Sequence, residues 1–119
     1  LLLAEALHLQ GKNSDTDGAA FYINEIRKRS NATPISAGQV SMEFILDERA
    51  RELVTEENRR ETLVRTGTLI ERTRKYNHIA SGERNSRPGI QDFNVLLPFP
   101  QIVIEANTGR VLEQNPGYN

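Results

Sequence analysis

The first ten residues constrain the fold most. Leu1, Leu2, Leu3, Leu7 and Leu9, with Ala4 and Ala6 among them, give a segment that is apolar on most sides when wound as a helix. Gly11 stands where such a helix would turn out of the right-handed region. A helix with so little polar surface needs another element to cover it. Glu5 interrupts the run, and there is neither a basic lead-in nor a longer apolar stretch, so the segment does not read as a secretory signal. With no initiator Met and no polar start, it reads as a helix entered in its middle. No window approaches the roughly 18 apolar residues that would cross a bilayer.

A partner follows at once. Asn13 to Asp17 is a turn rich in capping residues, after which Ala19, Phe21, Tyr22, Ile23 and Ile26 lead to a basic end at Arg27, Lys28 and Arg29. Cations there suit the negative end of a helix dipole. Residues 1–29 therefore predict a helical hairpin, the unit of helical-repeat arrays, present in one clear copy.

Pro34 biases Thr33 away from helix and marks residues 31–36 as a loop. Ser36 and Gln39 have the spacing of a capping box, predicting the start of a long helix with Met42, Ile45, Leu46, Arg49, Ala50 and Leu53 on one stripe to about Glu56. Arg59 to Thr66 reads as a short helix closed by Gly67. Thr68 and Glu71 form a second box opening a helix that ends at Asn77. Helices thus fill residues 36–77. Residues 78–119 read as loop and irregular tail: a polar loop to 92, an extended piece from Phe93 to Leu97 stopped by Pro98 and Pro100, one helical turn from Gln101 to Ala106, and a turn at Asn107-Thr108-Gly109. The expected fold class is mainly α.

Composition narrows the chemistry. The 119 residues are 37% apolar and 6% aromatic with no Trp, so the core must be aliphatic and modest. Fifteen Lys and Arg against sixteen Asp and Glu leave a net charge of −1, which removes any whole-chain attraction to nucleic acid or an anionic membrane. Without Cys there is no disulfide, thiolate metal site or cysteine nucleophile. His8 and His78 are too far apart in sequence for a metal-ligand motif, no Gly-x-Ser-x-Gly elbow occurs, and the glycines match no phosphate or dinucleotide loop. Glu43 and Asp47 are four apart on one predicted helix, but without an apolar pocket or partner base they read as surface carboxylates. Between residues 59 and 87 eight basic residues outnumber three acidic ones, yet only Tyr76 could stack on a base, so a solvated helix and loop is expected. Catalytic residues, metal ligands and cofactors are all expected to be absent.

Further information lies in the order of short blocks. Leu2-Leu3-Ala4-Glu5-Ala6, Ile23-Asn24-Glu25-Ile26-Arg27-Lys28-Arg29 and Ile45 to Leu53 come first. Arg59-Arg60, Leu63-Val64-Arg65-Thr66-Gly67, Leu96-Leu97-Pro98-Phe99-Pro100-Gln101 and Gln114-Asn115-Pro116-Gly117-Tyr118 follow. In this order they resemble the C-terminal region of the SusD/RagB family and cover nearly the whole chain. One block departs: where the family has a Gly and aromatics after Glu56, this chain has Glu57-Asn58-Arg59-Arg60.

The resemblance implies a mainly α-helical fold with tetratricopeptide-like helix pairs, residues 1–29 being one. It also implies a C-terminal part of a longer outer-membrane lipoprotein of Bacteroidetes, which binds glycans at the cell surface without catalysis and passes them to a SusC-type TonB-dependent transporter. Membrane attachment would be through an N-terminal lipid outside these residues. The family's sugar contacts lie mostly upstream, so no carbohydrate-binding residue is assigned here. The expected roles of the blocks present are structural. Glu48, Arg49 and Glu52, with Arg60 or Arg65, would form an interhelical ion network, and Leu96 to Pro100 would anchor the tail. The competing reading is a helical-repeat protein-interaction module with no ligand of its own.

Overall fold

The computed structural model describes residues 1–77 and 89–118. Among them are six α-helices and no strand, so the fold is mainly α: α1 (Leu2–Leu9), α2 (Ala19–Arg29), α3 (Met42–Glu52), α4 (Arg59–Arg65), α5 (Leu69–Tyr76) and α6 (Gln101–Ala106). Two 3-10 turns lie at Ala37–Gln39 and Asp92–Val95. The chain divides into two compact units, Leu1–Glu57 and Asn58–Asn119.

In the first unit α1 packs on α2 and α3. Its seam is built from small residues: Ala4, Ala19 and Ala20 are fully buried together with Ile23 and Ile45, and Ile35 and Val40 complete the core. Alanines there let the helix backbones approach closely. α1 buries one side only; Leu2, Leu3 and Leu9 remain exposed because two neighbours cover a single face.

The helix ends follow local chemistry. Gly11 has φ +74°, with its N–H on His8 O at 2.9 Å and the Lys12 N–H on Leu7 O at 2.8 Å, the paired bonds of a Schellman ending. Asn31 plays the same part after α2 at φ +54°, its N–H on Lys28 O (3.2 Å) and that of Ala32 on Arg27 O (2.9 Å). The start of α2 has no side-chain cap. Instead loop carbonyls accept its amides: Ala19 N–H on Lys12 O at 2.9 Å and Phe21 N–H on Ser14 O at 3.3 Å.

The Ser36 box forms, with the Ser36 N–H on Gln39 Oε1 at 2.9 Å, but it opens only a 3-10 turn. Val40 turns extended and enters the core, which ends that turn. α3 begins afresh at Met42, capped by Ser41, whose Oγ accepts from Phe44 N–H at 3.1 Å. Along α3, Ile45, Leu46, Glu48 and Arg49 are buried, while Ala50, expected on the stripe, is exposed. The helix stops at Glu52, short of Glu56, and Thr55 takes a positive φ of 69°.

In the second unit α4 closes as expected. Gly67 has φ +69° and donates to Val64 O (3.0 Å), and Thr68 N–H donates to Leu63 O (2.9 Å). The second capping box is absent: Thr68 is not extended, and its hydroxyl meets Thr66 Oγ1 at 2.9 Å. Leu63, Thr62, Leu69 and Arg72 are the buried residues of α4 and α5. The segment expected to be extended from Phe93 is a 3-10 turn to Val95, because Asn94 Oδ1 accepts the Gln91 N–H at 2.7 Å and winds the chain. α6 forms where expected. No helix among the described residues is long and apolar enough to cross a membrane.

Candidate functional site

In each unit a set of polar side chains ties helices and loops together. In the first, Glu48 and Glu52 stand one turn apart on α3, and the basic last turn of α2 supplies their partners. Glu48 is buried, and its Oε2 accepts from Arg27 Nη1 at 2.8 Å and Arg51 Nη2 at 2.6 Å. Both guanidinium groups lie near the Phe44 ring, at 5.6 and 5.9 Å from its centre, within cation–π range. Arg27 also donates through Nε to Thr33 O at 2.8 Å, tying the loop after α2 to the same cluster.

Glu52 pairs with Arg29, and Arg49 with Glu57. The side chains of the latter pair are only 7% and 9% exposed, so it is a desolvated ion pair. Of the two i,i+3 pairs that α3 offers, Glu48 with Arg51 forms, whereas Arg49 and Glu52 turn to partners outside the helix. Arg27, Arg29 and Glu57 were not legible as those partners, since their basic or acidic runs read equally well as solvated. Glu43 is exposed on α3 and Asp47 is half-buried.

Arg60 and Arg65 belong to the second unit. Arg60 Nη2 donates to the carbonyls of Asn94 (2.8 Å) and Val95 (3.0 Å), and Arg65 is exposed at the end of α4. Other basic residues of this stretch make contacts of their own. Arg74 donates to Ile90 O at 3.0 Å and pairs with Asp92 at 3.2 Å, and the buried Arg72 sits 4.9 Å from the Tyr76 ring centre. Arg84, Arg87 and His78 lie outside the described residues. His8 contacts Asn13 Oδ1 through Nδ1 at 3.0 Å. Among the described residues no three His, Asp or Glu side chains come together in a way that could hold a metal ion.

Beside the Arg60 contacts, the end of the chain fastens residues 94–99. Asn115 Nδ2 donates to Leu97 O (2.6 Å), and Gln114 both donates to Phe99 O (2.9 Å) and accepts from Phe99 N–H (2.8 Å). Tyr118 Oη donates to Leu96 O (2.8 Å) and accepts from Asn94 Nδ2 (3.0 Å). Its ring meets Phe93 edge to face at 5.0 Å.

Arg27, Glu48, Arg49, Glu52, Arg60, Gln114, Asn115 and Tyr118 sit in the blocks whose order marks the chain, and a sequence profile described as the SusD family matches residues 1–118. The chain belongs to the SusD family. It is 35% identical over 118 residues to the Starch-binding protein SusD of Bacteroides thetaiotaomicron, an alignment covering 99% of this chain and 20% of that protein. The chain therefore spans about a fifth of the length of this curated relative. No solved structure gives a significant match.

Within this SusD-family chain the closing block Gln114 to Tyr118 is the latch on residues 94–99. Tyr118→Phe removes its one donor to Leu96 O and its acceptor for Asn94 while keeping the ring contact. The expected cost is about 1–2 kcal/mol in chemical denaturation, with faster exchange of the amides around Leu96.

Proposed function

We propose that these residues form the C-terminal part of a protein that binds glycans, starch α-glucans foremost, at the bacterial outer-membrane surface. The protein holds its ligand without chemical change and delivers it to a SusC-type TonB-dependent transporter. A lipid attached upstream keeps it at the membrane. One observation carries this reading: the chain is 35% identical to the starch-binding protein SusD over 118 residues, 99% of its length.

In this reading the sugar contacts lie mostly upstream. Glu48, Arg49 and Glu52, with Arg60 and Arg65, serve the scaffold. Their supports are the burial of Glu48 and Arg49 and the backbone carbonyls to which Arg60 donates. Such pairs specify geometry more than they add stability, because desolvation offsets most of the attraction.

The transporter step is tested by affinity purification of the tagged intact protein from detergent-solubilised outer membranes, alongside glycan-array binding. Recovery of a TonB-dependent transporter together with array binding is expected. Transporter recovery with a blank array would point to an interaction module without its own ligand.

A further inference from the structure

The last turn of α2 and the loop behind it border an open surface pocket of about 290 Å³, lined by the half-buried Asn24 and Ala32 and the exposed Glu25, Lys28, Asn31 and Pro34. Ligand pockets run from about 300 to 1,000 Å³, so this one has room for a single small ring. Its walls are held in place. Asn24 clamps the Ile35 backbone by donating to its carbonyl and accepting from its N–H, both at 2.8 Å. Arg27 fixes Thr33 O, and Asn31 is locked at positive φ by the Schellman bonds.

The side chains of Glu25, Lys28 and Asn31 are exposed to solvent and make no hydrogen bond or ion pair with the other described residues, so their polar atoms are open to a ligand. They offer a carboxylate acceptor, an ammonium donor and an amide that does both. Glu25 and Lys28 cancel in charge, and the C-terminal end of α2 is the negative pole of the helix, which disfavours an anion. Ala32 and Pro34 add a small apolar surface.

We propose that this pocket is a subsite for one neutral, polyhydroxylated ring, a hexopyranose unit of a longer glycan. The proposal rests on the glycan-binding reading above and adds a position within these residues. With no aromatic platform in the lining, the subsite is weak alone and contributes by holding one unit of a chain that is bound elsewhere too.

The test is a titration of the isotope-labelled chain with methyl α-D-glucopyranoside, followed by amide NMR shifts. Saturable shifts grouped at residues 24–35, in the millimolar range, are expected. Glu25→Gln and Asn31→Gly should each weaken them by about tenfold. Gly keeps the positive φ while deleting the amide, so the backbone stays in place. Shifts that are absent from residues 24–35, or unchanged in both variants, overturn the subsite. Retention of the intact protein by starch, measured in parallel, separates the two failures. Retention with a silent pocket removes only the subsite, and no retention removes the glycan reading as well.

Discussion

Arg49→Ala is expected to destabilise the chain by about 3–5 kcal/mol and to leave glycan affinity unchanged in molecules that remain folded. The guanidinium and the Glu57 carboxylate shield one another in a nearly dry setting, each less than a tenth exposed. Truncating the cation leaves the Glu57 carboxylate desolvated and short of the Arg49 guanidinium, and this penalty exceeds the net value of the pair. The double variant Arg49→Met/Glu57→Leu removes both charges and keeps apolar volume. It should therefore be more stable than Arg49→Ala. Urea denaturation followed by circular dichroism measures both. A double variant no more stable than the single one would mean that the pair does not matter through its charge.

Gly18→Ala is the second large effect, at about 3 kcal/mol. Gly18 is buried at the start of α2, where a Cβ would stand 2.2 Å from Ser14 N, 2.7 Å from Lys12 O and 2.8 Å from the Asn13 carbonyl carbon. All three are backbone atoms, so relief requires the loop to move. That loop supplies the carbonyls receiving the Ala19 and Phe21 amides, so moving it also uncaps α2. Loss of helical signal at a lower denaturant concentration, with Gly38→Ala as an unaffected control because nothing surrounds its Cβ direction, is the expected result.

What could be read in the sequence was local. Gly11 and Gly67 announce helix ends because a positive φ costs glycine nothing, and both take that role. Asn31 takes it too, yet Asn in a loop signals several conformations and gave no such warning. The Ser36 box was readable from spacing, but the length of helix behind it depended on Val40 entering the core, a tertiary event. Asn94 winding residues 92–95 likewise overrode the extended character of Phe93 and Val95.

The ion pairs divide in the same way. Glu48 with Arg51 follows from helical spacing, whereas Arg27, Arg29 and Glu57 enter only once α2 and the end of α3 are folded. The polar pocket at the end of α2 depends on which charged side chains remain without partners, and composition does not reveal that. Family membership was legible in the order of blocks, because each block preserves a local structural task.

Starch binding by the intact protein is the most direct test of the glycan-binding role. Electrophoresis through native gels with and without soluble starch makes the comparison, with a protein of similar mass and charge as reference. Marked retardation in the starch gel is expected, equally strong for Arg49→Ala molecules that remain folded. Equal mobility in both gels, for a protein with its full helical circular-dichroism signal, would contradict it.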